Sequence, residues 1–97
     1  MSDEQQTRFA PNDRVRVSRS FTWAREASAT VSVGSGATHS PFGNYFRDVP
    51  GAHGQIRCYW LVFDVPQIDA DGDGPYAAAE ISEKYLEPLE GGPKPSC

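Results

Sequence analysis

From Ile56 to Phe63 the chain reads Ile-Arg-Cys-Tyr-Trp-Leu-Val-Phe, apolar or aromatic at nearly every position, with Arg57 as its one charge. A strand that shows apolar side chains at both alternating positions is buried on both faces. The remaining elements must therefore cover this segment from two sides, which makes it the predicted centre of the core. It falls far short of the ~18–20 apolar residues that span a bilayer, and no longer apolar run follows or precedes it. Pro66 cannot donate to a ladder and is expected to end the strand.

The flanking segments read as strands and turns. In Arg14-Val15-Arg16-Val17 strict alternation puts both valines on one face, as a half-buried strand requires. Ala29 to Val33 alternates again, and Ser18 to Ser28 between them reads as a broad polar loop carrying Phe21 and Trp23. Gly34 to Gly54 is rich in Gly, Pro and Ser yet holds Phe42, Tyr45 and Phe46. So long a loop points to function or to an element hidden within it. Asn44 to Val49 fits a short strand or a single helical turn equally.

In Tyr76 to Ile81 the alanines favour helix and the context favours a returning strand; we take the strand. Lys84 to Leu89 reads as a tight turn that drops Tyr85 and Leu86 inward. The predicted core is Val15, Val17, Val31, Trp60, Val62, Tyr85 and Leu86. With 97 residues the chain makes one all-β domain over 8–90 between flexible tails, 1–7 and 91–97. No basic-then-apolar leader opens it, which predicts a cytoplasmic location.

Charge narrows the partners. The formal net charge of −4 is split unevenly: residues 1–57 carry seven Arg against five acids, and residues 58–97 two Lys against eight acids. Binding to a nucleic-acid duplex is driven by phosphate neutralisation, so this balance argues against nucleic acid and toward a protein partner. Cys58 and Cys97 form neither a disulfide framework nor a metal or redox pair. They read as a buried thiol and a frayed one.

Two short stretches carry a resemblance. Phe9-Ala10-Pro11-Asn12-Asp13-Arg14-Val15-Arg16-Val17 resembles the opening of the small barrel at the C-terminus of nitrile hydratase β subunits. Tyr59, Val62-Phe63 and Glu83-Lys84-Tyr85-Leu86-Glu87-Pro88 are similar to its close. The resemblance covers about half the chain. It implies a Src homology 3-like barrel; with the elements read above, the expectation is about five strands, a long aromatic loop and a short helical turn near the C-terminus. In that family the barrel supports subunit packing, while cysteines of the other subunit hold the metal. The aromatic middle and the Asp-Gly turn of this chain depart from the pattern, so what carries over is the fold and an accessory role.

Chemistry-bearing motifs are few. Asp69-Ala70-Asp71-Gly72-Asp73-Gly74-Pro75-Tyr76-Ala77-Ala78-Ala79-Glu80 satisfies the D-x-D-x-D-G-x₅-E calcium-loop formula. The alternating carboxylates suit a hard cation, and Gly74 suits the bend. Geometry decides what Glu80 can add. If residues 74–80 were helical they would advance roughly 9 Å. As a strand they advance about 20 Å, and Glu80 is carried out of reach. The competing reading is a solvated acidic hairpin turn, since Asp and Gly also make tight turns. At most a weak Ca²⁺ site on Asp69, Asp71 and Asp73 is expected, and no other cofactor.

His39 and His53 stand in Gly-rich loops with no second ligand at regular spacing. No nucleophile elbow, paired-His metal motif or phosphate loop is present, so no independent enzyme is predicted. Trp23, Arg25, Tyr45, Phe46 and Arg47, with Phe42, form the other candidate site. Aromatics and Arg are the residues that interface cores are enriched in. The same rings could instead plug the open ends of a small barrel. The function expected is a non-catalytic interaction module or accessory subunit; the alternative is a small domain with a weak Ca²⁺-binding acidic loop.

Overall fold

The computed structural model describes residues 8–89; the predicted tails, 1–7 and 91–97, and Cys97 with them, lie outside that range. The described residues are all-β. Six strands run antiparallel: β1 Arg14–Val17, β2 Ser28–Val31, β3 Phe46–Gly51, β4 Gly54–Gln67, β5 Tyr76–Ser82 and β6 Leu86–Pro88. Single 3-10 turns stand at Gly36–Thr38 and Glu83–Tyr85. No helix among the described residues is long and apolar enough to cross a membrane.

The apolar stretch is indeed the centre of the sheet. Cys58 pairs with Arg47 on one side and Ser82 on the other, and Val62 with Thr30 and Ala78. So β3 and β2 occupy successive lengths of one edge of β4, and β5 occupies the opposite edge. The change of partner falls at Trp60. Its N–H donates to the Tyr45 carbonyl at 2.9 Å, and its own carbonyl accepts the Ser32 N–H at 3.1 Å. On the far side, β1 pairs with both β2 and β6.

Alternation then sorts the side chains. Tyr59, Leu61 and Phe63 point inward and are buried with Val15, Val17, Ala29, Val31, Ile81 and Leu86. Phe9, Ala24 and Ala27 close the margins of this core. The Tyr59 hydroxyl, at the centre, accepts the backbone N–H of Arg8 at 3.0 Å and of Phe9 at 3.3 Å. Partial burial, the main cause, pushes its pKa up. A buried phenol with two donors is satisfied, and it anchors the segment leading into β1.

Several expectations need correction. β4 is buried on one face only: Trp60 and Val62 lie on the outer face and are half-buried, as is Tyr85. The physical reason is cover. The outer face has no second sheet over it, only the loop 34–45. Pro66 does not end β4, which continues to Gln67. The β4–β5 register shifts between Val62 and Gln67, and a proline is tolerated where the ladder is interrupted. β2 spans Ser28–Val31, because Val33 turns away to accept the Ser40 N–H at 2.7 Å. Asn44–Val49 resolves as strand, beginning at Phe46 and running to Gly51. The C-terminal turn holds a 3-10 turn followed by a sixth strand.

The long loop is a folded cover. The Trp60 indole N–H donates to the Thr38 carbonyl at 2.7 Å, and the Phe42 ring meets Trp60 edge-on at 5.9 Å. The Thr38 hydroxyl accepts the Ser35 N–H at 3.1 Å and donates to the Ser35 carbonyl at 2.9 Å, closing the first 3-10 turn. Gly34 enters it at φ +74°, where a Cβ would collide with the Thr38 carbonyl. Only glycine fits both the left-handed backbone and the close approach.

The two faces of β4 predict different sensitivities. Leu61→Ala is expected to cost about 2–5 kcal/mol through lost burial and a cavity. Val62→Ala, on the half-covered face, should cost on the order of 1 kcal/mol. A urea titration in which Val62 proved the more sensitive would reverse the assignment of faces.

Candidate functional site

The outer surface of the sheet carries most of the charge in matched pairs. Arg14 meets Asp64 at 2.6 Å, Arg16 meets Glu87 at 2.9 Å and Arg47 meets Glu80 at 2.7 Å. Arg57 grips Asp48 through two nitrogens, at 2.7 and 2.9 Å, and Arg19 meets Glu26 in the β1–β2 loop. Hydrogen bonds from Arg57 and Arg14 hold Asp48 and Asp64 below the usual aspartate range. Pairs this exposed add little stability each. Their larger effect is to leave the sheet surface locally neutral.

The β4–β5 hairpin breaks that pattern. Asp69 nucleates its tip: Oδ1 accepts the backbone N–H of Asp71 and of Asp73, each at 2.9 Å, and the Asp69 N–H donates to the Asp73 carbonyl at 2.9 Å. An aspartate that satisfies its own turn is why this sequence bends here. Gly74 closes the turn at φ +126°. The geometry brings carboxylate oxygens of Asp69, Asp71 and Asp73 within 4.8 Å of one another. None of the ion pairs among the described residues reaches them.

Glu80 is not part of this group. It lies on β5 opposite Trp60 and takes two hydrogen bonds from Arg47, at 2.7 and 2.9 Å. The twelfth position of the calcium formula is thus committed elsewhere, as a strand conformation for Tyr76–Ser82 requires.

The aromatic candidates divide into two groups. Tyr45 packs edge-on against Phe46 at 5.0 Å and stacks on Tyr59 at 6.5 Å. Both rings lie against the core, and Arg57 sits over Phe46 at 4.7 Å. Arg47 lies over Phe42 at 4.7 Å, within the cover on Trp60. These residues are largely engaged within the protein. Trp23 also packs against the core but forms the other group, edge-on to Phe63 at 5.8 Å and to Tyr76 at 5.7 Å. Neighbouring Arg25 is exposed and donates to the Phe21 carbonyl at 3.0 Å.

The chain leading to and from Trp23 is tightly bent: Ala24 and Glu26 both adopt positive φ, +54° and +64°. Backbone bonds from Val17 to Ala27 and from Glu26 to Val17, at 2.9 and 2.7 Å, fix the base of that loop.

Trp23, Tyr76, Ala78, Ala79 and Asp69 line an open slot of about 300 Å³. Successive residues of a strand face opposite ways, so a slot bordered by both Ala78 and Ala79 lies at the edge of β5. The hairpin that carries it also exposes Val65 and Ile68 with Tyr76, at 64, 51 and 40%. The one other large apolar side chain so exposed among the described residues is Ile56. Partial desolvation, and then the fields of Asp69, Asp73 and Asp71, raise the pKa of the Tyr76 hydroxyl.

Sequence reading singled out Trp23 and the aspartates but placed them in separate features, and it missed Tyr76, Val65 and Ile68. The available signal was three apolar residues set directly against an acidic run. Nothing in alternation said that the β1–β2 loop would fold toward that run.

The remaining candidates are inert by comparison. A polar cavity of about 150 Å³ near Arg16, Ser18, Arg19, Glu26 and Glu87 is lined by ion pairs already matched internally. The Cys58 thiol is half-buried, and desolvation, the main cause, pushes its pKa up. That suppresses the thiolate a nucleophile needs. His39 and His53 are exposed loop residues. No known protein family, curated protein or solved structure matches the chain.

Two measurements follow from this geometry. Ca²⁺ affinity is expected to be no better than about 10⁻⁴–10⁻³ M and unchanged in Glu80→Gln. Micromolar calorimetric binding that disappears in that variant would show Glu80 swinging back to the loop. The lowered folded pKa values of Asp48 and Asp64 add stability that is present above the ordinary aspartate value. It is lost as pH falls through the depressed folded values. Asp48→Asn should therefore flatten the acid limb of a stability-versus-pH curve; an unchanged slope would remove the Arg57 pair from the account.

Proposed function

We propose that this protein is a non-catalytic interaction module or accessory subunit, a Src homology 3-like barrel that engages a protein partner beside the β4–β5 hairpin. The observation that carries it is one hairpin exposing Val65, Ile68 and Tyr76, with half-buried Trp23 packed against Tyr76. Three of the four large apolar side chains exposed among the described residues fall on this hairpin, and exposed apolar residues that concentrate in one region speak for an interaction site. Aromatic residues at its centre and charge at its rim match the anatomy of a protein interface.

The strand connections support the barrel. β1, β2, β4 and β5 pair in succession, and β5 runs through the Glu83–Tyr85 turn into β6, which pairs with β1. Taking β5 and β6 as one bent strand gives the five expected. This agrees with the similarity of the chain's opening and close to nitrile hydratase β subunits, whose barrel serves subunit packing. Net negative charge speaks for a protein rather than a nucleic-acid partner, and a cytoplasmic setting belongs to the same reading.

A second reading, a weak Ca²⁺ loop on Asp69, Asp71 and Asp73, has the convergence of three carboxylates in its favour. It lacks the bidentate acid that gives such loops their affinity.

The test is site-specific photo-crosslinking in extract of the native cells. A photoreactive residue at Tyr76 should give a discrete adduct, and one at Ser35, on the exposed cover loop, should not. The adduct should vanish on Trp23→Ala in a protein that still shows the wild-type melting profile. Equal labelling from both positions, or none from Tyr76, would overturn the interaction reading.

A further inference from the structure

The slot beside β5 has features that specify what fills it. Its walls are aromatic: Trp23 and Tyr76 meet at 68°, so their rings border the space from two directions. Its mouth is acidic: Asp69 lines it, and Asp71 and Asp73 stand within 4.8 Å of Asp69. Aromatic faces and carboxylates share one preference, for cations. A guanidinium satisfies both, because its plane stacks on a ring while its nitrogens pair with carboxylate.

Among the described residues the cations are engaged elsewhere, Arg8 over the Phe9 ring and on the Leu86 carbonyl. Arg14, Arg16, Arg19, Arg47 and Arg57 are paired with other acids, Arg25 bonds a backbone carbonyl and Lys84 lies over Tyr85. The hairpin thus concentrates three carboxylates that no ion pair among the described residues neutralises. The slot's volume of about 300 Å³ sits at the lower limit of the roughly 300–1,000 Å³ typical of small-molecule sites. It suits one long side chain. Among the described residues β5 pairs with β4 alone, and the slot borders its other edge, where an extended segment can be laid beside the strand.

Building on the interaction reading, we propose that the slot receives an arginine from an extended segment of the partner protein. The guanidinium lies against the ring surface that the contacting Trp23 and Tyr76 present to the slot and is paired by the hairpin aspartates, while the flanking backbone follows the edge of β5.

The probe is an acetylated, amidated heptapeptide of alternating threonine and valine with a central arginine, titrated into the ¹⁵N-labelled full chain. Shifts are expected at the Trp23 indole N–H and along Tyr76 to Glu80, weakening several-fold as salt is raised. The same peptide with citrulline for arginine should bind at least tenfold more weakly. So should the arginine peptide on the double variant Asp71→Asn and Asp73→Asn. Both positions are exposed, so the variant's fold can be verified from an unchanged spectrum elsewhere.

Equal response to arginine and citrulline peptides, or shifts confined to other surfaces, would overturn the proposal. So would Ca²⁺ alone shifting the Asp69–Gly74 amides at micromolar concentration while the peptide shifts nothing, since the carboxylates would then be metal ligands. An adduct from Tyr76 in the crosslinking experiment, with no peptide response, would leave the interaction module standing and reject arginine as its ligand.

Discussion

The fold depends on a single change of partner along one strand. At Trp60 the backbone N–H still belongs to the β3 side, through Tyr45, while the carbonyl already belongs to the β2 side, through Ser32. One edge of β4 thereby serves two strands in succession, and the opposite edge serves β5. The small core can then draw on Val31, Tyr59, Leu61 and Ile81 together. The side chain at the same residue holds the covering loop, through the indole N–H bond to Thr38 and the edge contact with Phe42. Backbone and side chain of one residue thus join the two long excursions of the chain.

This arrangement explains why the fold was legible in outline and not in depth. Alternation placed Arg14–Val17 correctly because one face is buried and the other carries paired arginines, the condition under which period-two patterning is informative. It misled at β4. Trp60 and Val62 are apolar because a loop half-covers them, and sequence pattern cannot tell a covering loop from a covering sheet. It also misplaced the end of that strand, since the Pro66 rule assumes an unbroken ladder and this ladder slips between Val62 and Gln67. The turn at Asp69–Gly74 was legible as chemistry, because aspartate and glycine in tight succession bend a chain whether or not an ion is bound.

The candidate surface was legible only in pieces. Trp23 stood out as an aromatic in a polar loop, and the aspartates as a motif. Their juxtaposition with Tyr76 is a long-range fact, set by how the β1–β2 loop folds back against Phe63 and the hairpin. The rings that sequence spacing favoured equally, Tyr45 and Phe46, follow a different logic. They sit where β3 and its lead-in pass Tyr59, and packing there takes up faces that would otherwise meet a partner.

Charge placement separates the two roles an acidic residue can take in so small a protein. Asp48, Asp64, Glu80 and Glu87 each stand across from an arginine on an adjoining strand or one strand further, and their fields are cancelled within a few ångströms. The hairpin aspartates stand past the last cross-strand arginine, where the hydrogen bonds of Asp69 come from the turn itself. Asp69 spends Oδ1 on two backbone N–H groups, which fixes the turn and holds the acidic group in one place. A carboxylate held by its own turn loses little conformational freedom when it meets a cation, and an aromatic wall lowers the local dielectric beside it. The element that bends the chain is therefore the same one that concentrates unpaired charge against Trp23 and Tyr76.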